Sequence, residues 1–220
     1  LKKAKNQIEI VKKRLAIIGT GISGMTCGYF LHKHFDVQLF EQNSHVGGHS
    51  LTIDAEEGSR KVPIDMGFMV FNKKTYPLFT SLLDKLGVDY ENSNMSFSVF
   101  SKLSGLEYNG TNLNTLFSQR KNLFNLKFIK MILEIFRFNK EALELLSAKE
   151  EITLGDYLAN NNYSSYFSKH YILPMGSAIW SSNLKTMLNF PAKFFVKFFH
   201  NHGMLNINDR PQWLTVTGGS

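Results

Sequence analysis

The chain has 220 residues, 43% of them apolar, which is enough for one large or two small domains to bury a sizeable core. Its formal net charge of +7 is spread out, with no clustered basic face and no nucleic-acid-binding module, which argues against a nucleic-acid partner. One cysteine, Cys27, rules out an internal disulfide, and no apolar run has the length of a bilayer span.

Lys2, Lys3, Lys5, Lys12, Lys13 and Arg14 make residues 1–13 a basic leader, expected to be frayed or partly helical. It lacks the apolar segment and small-residue cleavage site of a secretory signal, so the cytoplasm is the expected compartment. From Arg14 to Gly28 the sequence reads RLAIIGTGISGMTCG. The apolar run Leu15–Ile18 predicts a strand that stops at Gly19, and Gly19, Gly21 and Gly24 give the spacing G-x-G-x-x-G. Gly19 permits the tight turn, Gly21 lets a pyrophosphate approach the backbone, and Gly24 lets helix pack on strand. Ile22 and Ser23 open a helix over residues 22–34 whose free N–H groups favour an anion. Gly28 is expected to extend the close packing by a turn, and Cys27 to be a small core residue.

A second apolar run, Val37–Phe40, ends on Glu41, about 20 residues past the glycines, where a carboxylate binds ribose hydroxyls. Strand, turn, helix, strand and acid together predict a Rossmann-type nucleotide fold. Glu41 to His49 then reads EQNSHVGGH, with a second glycine pair, Gly47-Gly48, that NAD-only domains do not need. Residues 50–54 and 61–65 are β-prone and predict a hairpin about the polar turn at residues 56–60. Pro77 and Gly87 bracket a helix with an apolar face of Leu78, Phe79, Leu82, Leu83 and Leu86. Residues 96–101 and 106–108 predict strands, with Phe97 and Val99 facing away from Ser96 and Ser98.

From Leu113 onward the pattern is helical. Over residues 123–138, Lys127, Lys130, Glu134 and Arg137 form one polar stripe and nearly everything else is apolar. Thr153 is the expected N-cap of a short helix. Residues 171–182, with Pro174 and Gly176, read as a broken helix lining a cavity. Pro191 opens a last helix carrying Phe194, Phe195, Phe198 and Phe199 with Lys193 and Lys197. These aromatic helices admit three readings: core packing, a hydrophobic substrate tunnel, or a membrane-facing patch rimmed by Lys127, Lys130, Lys193 and Lys197. His200 and His202 read as a helix-end pair rather than a metal site. No nucleophile-elbow context surrounds any serine.

The continuation from Glu41 into Gly47-Gly48-His49 resembles the FAD-dependent amine oxidase and phytoene desaturase superfamily, whose signature ends in a Gly-Gly-Arg turn. His49 stands in place of that Arg, and His45 stands where many members carry a basic residue near the phosphates. The resemblance narrows at residues 63–77 (PIDMGFMVFNKKTYP), 171–182 (YILPMGSAIWSS) and 211–220 (PQWLTVTGGS). Together these segments are similar to bacterial flavin-containing amine-oxidase-like proteins often encoded beside cyclopropane-fatty-acid synthases.

The resemblance implies an α/β fold, a glutathione-reductase-like FAD-binding domain with an α+β substrate domain. It implies residues 14–74 as the first part of the FAD domain, 75–212 as a helix-rich substrate domain and 213–220 as the return. Family members are longer, so the chain reads as an N-terminal fragment. FAD is the implied cofactor, held by Gly19, Gly21, Ile22, Ser23, Gly24, Glu41, Gln42, His45, Gly47, Gly48 and His49. Gly67, Phe68 and Met69 would pass beneath the isoalloxazine ring, although a plain buried strand accounts for residues 68–70 equally well. The implied activity is hydride transfer from a hydrophobic substrate, an acyl chain or polyprenoid, to flavin, with peripheral contact at the inner membrane face left open. A non-catalytic flavin-binding scaffold for a lipid-modifying enzyme and an NAD(P)-dependent oxidoreductase are the alternatives. No catalytic residue, electron acceptor or oligomeric state follows from the sequence.

Overall fold

The computed structural model describes residues 12–206 and 211–220; the leader expected over residues 1–13 falls, up to residue 11, outside the described residues. The chain divides into two compact units. Residues 12–71, Ser81–Ser93 and Leu214–Ser220 form the first, and Asn72–Thr80 with Asn94–Trp213 form the second.

The first unit begins with strand β1 (Arg14–Ile18), helix α1 (Ile22–Leu31) and strand β2 (Asp36–Phe40). β1 and β2 run parallel in register from Arg14 opposite Asp36 to Ile18 opposite Phe40. A parallel pair needs a crossover, and α1 supplies it. The helix ends at Leu31, short of the expected residue 34, with His32 as its C-cap. It meets the strands through Gly24 and Gly28, and Cys27 lies off that ridge and is exposed, contrary to its expected place in the core. A Cβ on Gly28 would stand 3.4 Å from the Leu39 side chain, so this glycine sits against β2 without the compulsion found at Gly24.

Strands β3 (Thr52–Glu57) and β4 (Arg60–Asp65) form the expected hairpin, turning through Gly58 at φ +63°. The segment after β4 is not a strand, so the buried-strand reading of residues 68–70 fails: Met69 is 59% exposed. Phe71 returns to pairing, exchanging both backbone hydrogen bonds with Leu214. Helix α2 (Pro77–Leu86) ends before Gly87, at φ +68°. Its expected five-residue apolar face is only partly used. Leu83 is buried, whereas Leu78, at the end of the helix that belongs to the second unit, and Leu86 are exposed. Strand β5 (Tyr90–Ser93) closes this stretch.

The second unit holds strands β6 (Ser98–Ser101) and β7 (Leu106–Asn109), an antiparallel hairpin with Val99 inward and Ser98 outward. Helix α3 (Leu113–Leu116) and a 3-10 turn (Arg120–Phe124) lead into α4 (Leu126–Glu141). Helices α5 (Leu154–Asn160), α6 (Ser165–Phe167), α7 (Leu173–Ile179), α8 (Leu184–Leu188) and α9 (Ala192–Asn201) follow. Strand β8 (Trp213–Val216), which from Leu214 onward belongs to the first unit, pairs there with β5.

Phe128, Met131 and Phe138 of α4, Leu154 of α5, Phe167, Ile172, and Phe195, Val196 and Phe199 of α9 make one apolar core. The Phe195 and Phe199 rings stack at 4.2 Å, and Trp180 packs on both. Phe128 and Phe138 of α4 and Phe195 and Phe199 of α9 therefore build core, while Phe136 and Phe194 stay half exposed. Lys193 donates to the Ala148 carbonyl. Thr153 caps α5 as expected, accepting the Asp156 N–H at 3.0 Å.

Two features of this unit depart from the sequence reading. Glu134, assigned to a polar stripe, is 4% exposed, and its carboxylate takes both the N–H and the hydroxyl of Ser164. It lies at the start of the helical run 165–179, where a negative charge complements the helix dipole. The break in that run is a π segment at Ser168–Ile172, upstream of Pro174. In that run a Cβ on Gly176 would come within 2.8 Å of both Met187 Sδ and Phe195 Cε2. Gly176→Val is therefore expected to lower stability by about 1–3 kcal/mol through overpacking, read as a reduced urea midpoint with unchanged slope.

Candidate functional site

Within the first unit, three segments far apart in sequence converge at the end of the parallel pair. The first is the glycine loop. Gly19 leaves β1 at φ +92° and donates its N–H to the Phe40 carbonyl, so the loop stays zipped to β2 for one bond beyond the strand. A Cβ on Gly24 would lie 2.0 Å from the Gly19 carbonyl oxygen, closer than any side chain can stand. Gly21, the N-cap of α1, differs: its backbone is extended, nothing lies within 4 Å of where its Cβ would be, and no side chain caps the helix. An uncapped helix N-terminus behind open space is the cradle that a phosphate group fills.

The second segment is the acid. Glu41 Oε2 accepts from the Thr20 N–H and hydroxyl, and Oε1 accepts from the N–H and side-chain amide of Asn43. Four donors thus occupy the four lone-pair positions of the carboxylate. The Thr20 hydroxyl, with the backbone N–H groups of Asn43 and Thr20 behind it, lowers the Glu41 pKa to about 2.

The third segment is the second glycine turn. Gly47 and Gly48 have φ of +107° and +62°, and Gly47 donates to the Thr20 carbonyl. A Cβ on Gly48 would fall 2.9 Å from Gly21 Cα, so the two turns are in backbone contact. Beyond it the His49 carbonyl accepts the Phe68 N–H, and a Cβ on Gly67 would clash with that carbonyl at 2.2 Å. Phe68 stacks on Phe71.

The structure thus brings together Gly19, Gly21, Gly24, Glu41, Gly47 and Gly48, and links His49 to Gly67 and Phe68. Ile22 and Ser23 are exposed on the first turn of α1. Gln42, His45 and Met69 carry exposed side chains. The sequence reading missed Thr20, which is buried and binds Glu41 through both its donors. A hydroxyl inside the glycine loop was the available signal.

Also missed was a polar cluster within the second unit. His202 directs Nδ1 to the Phe198 carbonyl at 2.8 Å, which leaves Nε2 to accept the Tyr76 hydroxyl at 3.1 Å. The ring is stacked between Phe198 and Trp213, and burial raises the Tyr76 pKa. Beside it in sequence Asn72 is fully buried, its Oδ1 taken by the Thr75 N–H and its Nδ2 without a partner. His202 is thus the C-cap of α9 and also a hydrogen-bonded partner of Tyr76.

Residues 17–86 match the family described as an NAD(P)-binding Rossmann-like domain. No curated protein sequence matches the chain. Among solved structures, a mutant of putrescine oxidase aligns with a TM-score of 0.59 at 17% identity, over 94% of this chain and 46% of that one. Wild-type putrescine oxidase bound to putrescine gives 0.57 at 20%, and cyclohexylamine oxidase from Brevibacterium oxydans IH-35A gives 0.57 at 19%, with the same coverage. The chain shares their fold. It spans about half the length of these structures, and its glycine loop, Glu41 and second glycine turn all lie inside the matched residues 17–86.

The depressed Glu41 pKa sets a pH test. Stability from this carboxylate is fully present above its unfolded value, near 4.5, and is lost as pH falls toward about 2. Glu41→Gln should melt at a lower temperature than the parent at pH 7, and the gap should close between pH 4.5 and 2. A gap independent of pH in melting curves would remove the charged Thr20–Glu41 tie.

Proposed function

We propose that the chain carries the dinucleotide-binding part, and a portion of the substrate region, of an FAD-dependent oxidoreductase that takes hydride from a hydrophobic substrate. The observation that carries this reading is the backbone contact of Gly48 with Gly21, which sets two positive-φ turns against one uncapped helix N-terminus. One glycine loop suffices for a pyrophosphate; a second turn packed on it suits a longer cofactor that continues past the phosphates. FAD, when bound, supplies the hydride-accepting chemistry.

The residues present fit such a group. The N–H groups at the start of α1 would face the pyrophosphate. Glu41 would hold the adenosine ribose once the ribose hydroxyls replace the Thr20 hydroxyl and the Asn43 amide, both donors to the carboxylate. Gln42, His45 and His49 would stand on the exposed side of this turn, and Gly67–Met69 would continue toward the ring. The solved structures that share the fold are named as amine oxidases, which supports oxidation at a carbon bearing a transferable hydride. The hydrophobic, lipid or polyprenoid class of substrate rests on the resemblance of the sequence and on its 19 phenylalanines. A second reading, an NAD(P)-dependent enzyme, is favoured by the description of the matching family, and Gly47-Gly48 weighs against it.

The test is the visible spectrum of the purified full-length protein after gel filtration. Flavin absorbance is expected. Gly21→Val places a side chain in open space and should fold normally while losing at least tenfold in flavin content. Gly24→Ala puts a Cβ on the Gly19 carbonyl and should unfold the loop, lowering melting temperature and flavin together. A colourless protein that takes up no added FAD but binds NADP or NAD would replace this reading with the second.

A further inference from the structure

Of the four most exposed large apolar side chains in the second unit, three lie on two neighbouring tips. Leu103, at the tip of the β6–β7 hairpin, is fully exposed; Phe124, at the end of the 3-10 turn, is 88% exposed, and Leu126, opening α4, is 83% exposed. The two tips are fastened to each other. Gln119 donates to the Gly105 carbonyl at 2.8 Å and accepts the Glu107 N–H at 3.2 Å. Between them lies an open polar cleft of about 400 Å³, walled by the turn at Ser104 and Gly105 and by Lys121, Asn122 and Asn125. Beyond the cleft α4 extends the same face, presenting Leu133 and Phe136 to solvent opposite its buried Phe128, Met131 and Phe138.

Charge accompanies this patch. Residues 100–133 contain Lys102, Arg120, Lys121, Lys127 and Lys130 against a single carboxylate, Glu107. All five cations are exposed, and Arg120 spends its hydrogen bonds on the neutral Phe117 carbonyl and Asn114 amide, which leave its charge uncompensated. A bulky apolar tip ringed by unneutralised cations is costly in water. It is satisfied at an anionic bilayer, where apolar side chains enter the acyl boundary while Lys and Arg meet the headgroups. Long Lys stems reach outward from such a plane without leaving it.

We propose that this face is an interfacial membrane-docking surface that seats the protein on anionic phospholipid. Leu103, Phe124 and Leu126 insert, and Lys121 with the amides of the cleft takes a phosphate headgroup. The surface is distinct from the aromatic helix α9, whose Phe195 and Phe199 are spent in the core. Among the described residues no helix is long and apolar enough to cross a membrane.

The experiment is flotation of the full-length protein with vesicles of phosphatidylcholine containing 30 mol% phosphatidylglycerol, against phosphatidylcholine alone; it needs no bound flavin and so stands apart from the cofactor reading. Binding to the anionic vesicles is expected, weakening at high salt. It should fall at least tenfold in Phe124→Asp/Leu126→Asp and in Lys121→Glu/Lys127→Glu, with melting temperature unchanged because these positions are exposed. Phe124→Trp, which keeps a large ring, should retain binding and shift its emission to the blue on adding anionic vesicles. Absence of flotation at low salt, or undiminished flotation of the charged variants, would overturn the proposal. So would a concentration-dependent dimer abolished by the same substitutions, which would make the face a contact between copies.

Discussion

The first unit depends on how one carboxylate is held. Glu41 ends β2, and Thr20 sits in the turn after β1, so their paired hydrogen bonds fasten the glycine loop to the neighbouring strand. The Gly19–Phe40 backbone bond lies alongside, and Gly47 reaches the Thr20 carbonyl from the other side. Thr20 is therefore the hub of three bonds: two donated to the acid and one accepted from the second glycine turn. With that residue placed, α1 can only start where it does, and Gly24 must lack a side chain because the loop carbonyl occupies its space. An ionised carboxylate suits this role because charge-assisted bonds are shorter and stronger than neutral ones.

The second unit solves a different problem. Its α4 is pulled two ways, with Phe128, Met131 and Phe138 facing the core and Leu133 and Phe136 facing out. Glu134 sits on the buried side, which is tolerable only because Ser164 offers two donors at the start of a helical run. The π segment that follows widens one turn within that run and lets Tyr108 reach the His170 carbonyl at 2.7 Å. Glu134 and Tyr108 are thus each matched to a specific partner, and the packing around them is correspondingly constrained.

Much of this was readable from residue order. The parallel βαβ element, the hairpin through Gly58, the helix bounded by Pro77 and Gly87, and the Thr153 cap all rest on short-range rules of turn, cap and period, which operate within a few residues. What was not readable depends on partners distant in sequence. Glu134 looks like one more charge at helical spacing until Ser164 is brought to it from thirty residues away. Cys27 looks buried because its helix is apolar all round, and only the placement of Gly24 and Gly28 shows which side faces the strands. In the same way Leu78 reads as part of an apolar face, and periodicity reports that a face is apolar but not how much of it finds a partner. The glycine positions were legible because each has one geometric reason, whereas Thr20 and Tyr76 became visible only through Glu41 and His202.

The pairing of Phe71 with Leu214 sets an order of events during synthesis. The first unit needs Leu214–Ser220 beside Phe71, Met69 and Thr52, so it cannot close its last contacts until the intervening residues have been made. At ribosomal rates of about 5–20 residues per second, that wait is roughly 7–30 seconds. By its end the whole sequence of the second unit has been translated, so that unit can fold before the first one closes. The Rossmann-like stretch, made before the second unit, is thereby finished after it.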